Sequence, residues 1–285
     1  MNTVQKQNIT TKLRLYCERY ESQNKAAASM KGVSSATISQ MLNGNWELIK
    51  TEMWRNVASH IGYREENWAP VETRDFRLIT KLLSDARENS LVLAVTGNAG
   101  TGKTFAVRTF AESNKRVYLL CCNEYWNRKL FLAELLQAIG RDYSGYTVGE
   151  MMHEAVRALK MQDKPLLILD EADKLSDQVL YFFITMYNQL EDECGILLCA
   201  TNHLEKRLKR GIKLNKKGYN EIWSRIGRKC IELKGVSAGD IAAVCEENGI
   251  NDKKLIDEVV YDSEGDFRRV KRKIHAIKLH FTQIN

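Results

Sequence analysis

The sequence has little proline: Pro70 and Pro165 are the two prolines in 285 residues. It has no apolar run approaching the roughly 18–20 residues that span a bilayer. Its N-terminus, "MNTVQKQNITTKLRLY", lacks the apolar stretch of a signal peptide. These absences point to a cytoplasmic protein without a membrane partner. Of the seven cysteines, none form a CxxC pair, and most lie inside apolar runs such as "VYLLCC" and "GILLCA". That argues against zinc and disulfides and for buried, reduced thiols. Internal repeats and low-complexity segments are also lacking.

What is present suits a globular chain. Hydrophobic residues make up 44% and charged residues 28%, enough for a real core in one large domain plus a small one. The net charge is +7, and its distribution says more than its size. Residues 206–217 carry Lys206, Arg207, Lys209, Arg210, Lys213, Lys216 and Lys217 with no acid between them, and 268–273 read "RRVKRK". Such blocks attract phosphate backbones, although each could equally be a solvated face.

Pro70 lies in the polar stretch "REENWAPVETRD" (64–75), which reads as a linker. Upstream, residues 1–63 read as a small helical domain. Downstream, "LVLAVT", "RVYLLCC", "PLLILD", "GILLCAT" and "KCIEL" alternate with amphipathic helical stretches. Continuous apolar runs separated by helices predict a parallel sheet covered on both faces. This places the sheet-containing core at 76–235. From 236 to 285 no strand is evident; "SAGDIAAVCEENG" and "DFRRVKRKIHAIKLHF" predict a helical lid.

The most specific motif is "GNAGTGKT" (97–104), which matches G-x-x-x-x-G-K-S/T. Its glycines let backbone amides turn toward phosphates, so Gly97, Asn98, Ala99, Gly100, Thr101 and Gly102 cradle ATP, with Phe105 following. Lys103 reaches the β and γ phosphates and Thr104 offers its hydroxyl to Mg2+. A strand precedes the loop and a helix follows, aiming its N-terminus at the anion. "LLILDEAD" brings Asp170 to the end of a buried strand, where it holds Mg2+, and Glu171 stands next to it as general base. The letters "DEAD" suggest an RNA helicase, but about 110 residues remain after Asp173, too few for a second full sheet. In "GILLCATN", Asn202 sits just past a strand, placed to align the lytic water. "NEIWSRIGRKCIEL" puts Arg225 and Arg228 before the last strand, where either could reach a neighbouring subunit's γ-phosphate. "GDFRRV" puts Arg268 at the start of a lid helix, able to fold back onto the nucleotide.

This ordered set resembles the AAA+ ATPases over about residues 72–280. The resemblance implies an α/β fold: a parallel five-stranded sheet of order 5-1-4-3-2, sandwiched by helices, with a C-terminal helical lid. It also implies Asn202 as first sensor, Arg225 as arginine finger, Arg268 as second sensor, and ATP bound between subunits. More narrowly, a small AAA+ domain behind a helix-turn-helix resembles the transposon target-selection ATPases of the phage Mu B type. That implies largely sequence-independent binding of double-stranded DNA, ATP-dependent filaments or rings, and a transposase partner. By the same likeness, loops at "NEYWNRKLF" (Asn127, Arg128, Lys129) and "RDYSGYTVGE" (Thr147) are DNA-contact candidates, with Lys206, Arg207, Lys209 and Arg210. Thr147 is also suited to cap the helix after it.

"NKAAASMKGVSSATISQMLNGN" (24–45) predicts a helix-turn-helix of the phage-repressor type. Ala28, Gly32, Val33, Ile38 and Met41 fall at its small, turn and core positions. Lys31 departs from that pattern, and Met30 is the candidate to supply the missing contact. "WELIKTEMWRNVASHIG" (46–62) predicts a further helix. The second helix presents Ser35, Gln40 and Asn43 for DNA, the last two suited to adenine edges, yet carries no Arg or Lys. It reads as an accessory domain that positions the chain on DNA or meets a partner. The sequence thus favours an ATP-dependent regulator of transposition. A helicase loader or replication initiator, and an ATP-switched transcriptional regulator, are the competing readings.

Overall fold

The computed structural model describes residues 1–63 and 68–284. Residues 64–67 of the expected linker and residue 285 of the expected lid lie outside the described residues.

Four helices build the N-terminal domain: α1 (Thr3–Cys17), α2 (Gln23–Ala28), α3 (Ser35–Leu42) and α4 (Thr51–His60). Asn2 starts α1 through a reciprocal capping box with Gln5. Ser34 caps α3 by accepting from the Thr37 backbone N–H. Their core is apolar, gathering Ile9, Leu13, Met30, Ile38, Met41, Trp54 and Val57. Met30 is buried while Lys31 is exposed, so Met30 makes the contact expected of it. The Lys31 backbone closes the turn instead: its N–H donates to His60 Nε2 and its carbonyl accepts from Asn56. The small packing residue is Ala27, with Ala28 exposed, because α2 ends at Ala28. The expected helix at 46–62 forms only over α4; Trp46 donates its indole N–H to the Met41 carbonyl ahead of it.

The larger part runs α5 (Arg74–Glu88), β1 (Val92–Thr96), α6 (Lys103–Ser113), β2 (Val117–Cys121), α7 (Arg128–Ile139), α8 (Val148–Lys160), β3 (Leu166–Asp170), a 3-10 turn (Ala172–Lys174), α9 (Asp177–Leu190), β4 (Gly195–Ala200), α10 (His203–Lys213), α11 (Tyr219–Arg225) and β5 (Ile231–Glu232). The strands pair in parallel in the order β2-β3-β4-β1-β5, the order the family resemblance implies. One face packs on α5 and α6 through Ile79, Leu83, Val107 and Phe110. The other packs on α7 to α11 through residues such as Phe131, Leu135, Met151 and Phe183. β3 and β4 are buried at every position, hence their unbroken apolar sequence. The edge strand β5 is shorter than "KCIEL" because it pairs only through Val95–Ile231 and Thr96–Glu232.

Three lid helices follow: α12 (Ala238–Glu247), α13 (Lys253–Ser263), which the sequence reading did not separate out, and α14 (Phe267–Ile284). The described part of the linker is not loose. Trp68 and Val71 pack on the lid core, and the buried Asn248 side chain both donates to and accepts from the Ala69 backbone.

The N-terminal domain docks on the end of α6 and α7. Lys12 pairs with Glu112 at 2.7 Å and Glu18 with Lys115 at 3.0 Å, while Glu21 meets Arg141. Gly140, at φ +77°, lets the Arg19 carbonyl approach to 2.4 Å of where a Cβ would stand, so a side chain there would push the domains apart.

Candidate nucleotide site

The site is built at the C-terminal ends of β1 and β3. β1 feeds the glycine loop, and Gly102 at φ 89° opens α6. The Thr101 hydroxyl donates to the Asn98 carbonyl and steadies the loop. Lys103 is buried, and its Nζ donates to the Gly97 and Asn98 carbonyls at 2.7 and 2.6 Å. Burial lowers its pKa, partly opposed by the nearby Asp170. Asp170 ends β3 at 2% exposure. Burial raises its pKa against the pull of the Thr104 hydroxyl and the Glu171 backbone N–H, and its Oδ2 is buried with no hydrogen-bond partner. A buried carboxylate oxygen without a partner is costly, and a divalent cation answers it. Asp170 and Thr104 therefore fit Mg2+ bound with a nucleotide's phosphates.

A cavity of about 1160 Å³ adjoins this loop. Its walls include Gly100, Thr101, Gly102, Thr104, Phe105, Asp170 and Glu171, with Phe267 and Arg268 from the lid, Trp68 and Val71 from the linker, Lys12 from α1 and Arg19 from the turn after it. Arg268 thus opens onto the same space as the glycine loop. Beside it, the lid touches the loop itself: the Phe267 N–H donates to the Gly100 carbonyl at 2.9 Å. The Asp266 carboxylate would lie 2.3 Å from a Cβ on Gly100, whose φ is +80°; only glycine suits that position. Asp266 has no sequence signal of its own, because its closeness to Gly100 depends on how the lid folds back onto the loop. Lys12 and Arg19 carry no motif, and only the docking of α1 brings them here.

Glu171 sits at φ 56°, a strained left-handed conformation for a residue with a side chain, and its carboxylate accepts from Lys174 at 2.6 Å. Asn202 donates to Glu232 at 3.2 Å, and its Oδ1 is buried without a partner. That free acceptor is what a water-aligning amide needs. Arg225, at the end of α11, is not among the cavity's lining residues. It stacks 5.0 Å from the Tyr187 ring centre, donates to Asn188 at 3.0 Å and lies 3.8 Å from Glu191. Arg228 is exposed at φ 56°.

The other candidates fall into two groups. Some are committed locally. Asn127 caps α7 by accepting from the Leu130 N–H. Thr147 caps α8 in a capping box with Glu150, the capping geometry its sequence suggested. Lys209 pairs with Glu205 at 2.7 Å. Arg207 is half-buried, with hydrogen bonds to the Asp173 and Leu175 carbonyls and to Asp177. Burial would raise the Asp177 pKa, but hydrogen bonds from Tyr219 and Arg207 outweigh it and bring it to about 2. Others stand outward: Arg128 lies over the Phe182 ring at 5.8 Å and is exposed, as are Lys129, Lys206, Arg210, Gln40 and Asn43. Ser35 is half-buried, its carbonyl accepting from Gln23. The thiols divide likewise, with Cys121 exposed, Cys17 half-buried and the other five buried.

The sheet order, glycine loop, strand-end acid and helical lid make up an AAA-like α/β fold. A family model described as an AAA domain matches residues 86–208. A structure of Cdc6p from Pyrobaculum aerophilum superposes with a TM-score of 0.54 at 18% identity, over 74% of this chain and 63% of that one. More narrowly, the chain is similar in sequence to transposition proteins of the Mu B type. It is 27% identical over 227 residues to the Mu-like prophage FluMu DNA transposition protein B of Haemophilus influenzae, covering 77% of each. It is 25% identical over 257 residues to the ATP-dependent target DNA activator B of Escherichia phage Mu, covering 88% of this chain and 80% of that protein. The protein of the same name from Escherichia phage D108 is also 25% identical, with 88% and 82% covered. Among the described residues no helix is long and apolar enough to cross a membrane.

Proposed function

We propose that this chain is an ATP-dependent regulator of DNA transposition. It hydrolyses ATP to ADP and phosphate, assembles as a homo-oligomeric filament or ring on double-stranded DNA with little regard to sequence, and recruits and activates a transposase at the chosen target. Hydrolysis drives its release. The observation that carries the ATPase reading is the buried Lys103 amine, held at the glycine loop by the Gly97 and Asn98 carbonyls, together with the partnerless Oδ2 of Asp170, which lines the adjoining cavity. Phosphates answer the first and Mg2+ the second. Bound Mg2+ would supply charge neutralisation to the β and γ phosphates, with Thr104 and Asp170 holding it. Glu171, released from Lys174, takes the proton of the attacking water. Asn202 accepts from that water through its free Oδ1, and Arg268 binds the nucleotide from the lid.

Oligomerisation is supported by Arg225. Its guanidinium rests on Tyr187, Asn188 and Glu191 of its own chain, and in this reading it leaves them to serve a phosphate on a neighbouring copy. The transposition role is supported by the names of the relatives and by the exposed basic residues of α10. Residues 1–63 then act as an accessory domain behind the nucleotide-dependent grip. The domain limits that go with this reading are 1–63, a 64–75 linker, a 76–235 core and a 236–285 lid.

Imaging the full chain with DNA of unrelated sequences, with ATP, with a slowly hydrolysed analogue and without nucleotide, tests this. Nucleotide-dependent filaments on every duplex are expected. A footprint confined to one sequence and indifferent to ATP would indicate a transcriptional regulator, and ATP-dependent binding to a replicative helicase would indicate a loader.

A further inference from the structure

The turn after β3 is tied to the neighbouring strand and helix in a way that the roles above do not use. Glu171 opens this turn, and Asp173 within it turns its carboxylate to the end of β4. There Oδ2 accepts from the Thr201 hydroxyl at 2.6 Å and Oδ1 faces the Thr201 backbone N–H at 3.4 Å. Thr201 immediately precedes Asn202. From the other side, Arg207 of α10 donates through Nη1 to the Asp173 carbonyl at 3.2 Å and the Leu175 carbonyl at 2.6 Å. Its Nε donates to Asp177 at 3.1 Å, and Tyr219 donates to the same carboxylate at 2.6 Å. One planar guanidinium therefore grips the turn's backbone and the first residue of α9 together, which the single ammonium of a lysine cannot reproduce.

We infer that Asp173 and Arg207 are positioning residues for ATP hydrolysis, bracing the turn that carries Glu171 against the strand end that carries Asn202. The inference rests on the ATPase reading above. Its physical basis is that Glu171 is held at a strained φ. Such a conformation persists only where its surroundings over-determine it, and the turn's ties to β4 and α10 supply that constraint. Loss of the brace lets the carboxylate drift, and a shift of about 1 Å in a catalytic group costs on the order of 10²-fold in rate. The phosphate-binding loop is untouched, so binding of ATP is spared. The same geometry removes Arg207 from the residues free to grip DNA: its donors are spent inside the fold, whereas Lys206 and Arg210 on either side face solvent.

The test uses the full chain and the variants Asp173→Ala, Asp173→Asn, Thr201→Val, Arg207→Ala and Arg207→Lys. Steady-state hydrolysis and the affinity for a fluorescent ATP analogue are measured on each, with thermal melts to confirm folding. In Asp173→Ala, Arg207→Ala and Arg207→Lys, kcat falls about 10- to 100-fold while KM and analogue affinity stay within about twofold, the margin expected when uniform binding is kept. Thr201→Val, which removes only the hydroxyl, falls in the same direction. Asp173→Asn recovers most of kcat, because its amide oxygen still accepts from Thr201. The salt dependence of DNA affinity is the separating arm. Arg210→Ala lowers the log–log slope by about 0.9, as for one lost phosphate contact, and Arg207→Ala leaves it unchanged. Folded Asp173→Ala and Thr201→Val with wild-type kcat would overturn the brace while leaving the ATPase reading intact, and Asp173→Asn no better than Asp173→Ala would also overturn it. If Asp173→Ala fails to fold, Thr201→Val and Arg207→Lys decide by the same split between kcat and KM. A wild-type chain that binds nucleotide and never hydrolyses it overturns both.

Discussion

The nucleotide site and the N-terminal helical domain spend burial differently. Around the glycine loop the chain buries Thr96, Thr101, Lys103 and Asp170. One of these carries a carboxylate oxygen with no partner. Among the described residues of 1–63, the buried residues are hydrophobic; Lys31, Gln40 and Asn43 all stay outside. Burying charge without a partner costs stability unless a ligand answers it. The first region is therefore shaped by a ligand that carries opposite charge, and the second by its own fold. The difference teaches where to look for control: a nucleotide would change the energetics of the first region directly, and would reach the second through Lys12 and Arg19 at the cavity wall, the docking contacts and the linker's clasp on the lid.

The sharpest way to break this comparison is to test whether the ATPase half is complete in one chain. Arg225→Ala should leave ATP affinity unchanged and lower DNA-stimulated hydrolysis by about 10³-fold or more, the range of arginine fingers. Mixing it with Lys103→Ala chains, which keep Arg225 but lose the phosphate grip, should restore activity at mixed interfaces. Turnover by the Arg225→Ala protein alone at the wild-type rate would mean that the site needs no second copy. Next in size is Glu171→Gln. Loss of the general base should lower hydrolysis about 10²- to 10⁴-fold while ATP stays bound, measured as retained radiolabel on protein–DNA complexes. Rapid loss of that label would remove Glu171 from its assigned role.

The two regions also differ in how much of them the sequence discloses. The sheet is legible because buried parallel strands need continuous apolar runs, and the glycine loop because phosphate binding admits few spellings. Thr147 is legible as a cap because a helix start needs a short side-chain acceptor. The brace is not legible: Asp173 and Thr201 are 28 residues apart, and only the pairing of β3 with β4 brings them together. Arg207 illustrates the opposite problem. Within a run of basic residues it resembles its neighbours, yet the amphipathic period of α10 turns it inward toward Asp177 while Lys206 and Arg210 face out. In the N-terminal domain, the burial of Ala27 rather than Ala28 depends on where α2 stops, which a one-residue difference decides. The docking of α1 beside the cavity has no sequence signal at all, since exposed charges pair with whatever the tertiary fold presents.

Independence of the two regions is tested by Trp54→Ala. Trp54 is fully buried and packs edge-on to Trp46 at 5.7 Å between ring centres. Truncating it should cost about 3–5 kcal/mol, enough to unfold a domain of this size. Calorimetry should show the loss of one transition while ATP analogue binding by the rest persists. If nucleotide binding disappears with it, the two regions form one cooperative unit and the comparison above dissolves.

The smallest effect concerns the contact between them. Lys12–Glu112 and Glu18–Lys115 are ion pairs with partly exposed partners. Such pairs contribute about 0.2–1 kcal/mol each and weaken as salt rises. Glu112→Gln should therefore shift melting only slightly, yet increase protease cleavage in residues 64–75 at low salt. The same increase should appear in the wild type at about 0.5 M salt, where the screening length falls to a few ångströms. Gly140→Ala offers a control that salt does not touch, because its added Cβ presses on the Arg19 carbonyl at any ionic strength. Should Gly140→Ala release the domain and Glu112→Gln not, shape rather than charge holds the two regions together. Should neither do so, the clasp of Asn248 on the Ala69 backbone is the stronger link, and nucleotide-driven movement of the lid is the route by which the N-terminal domain is repositioned.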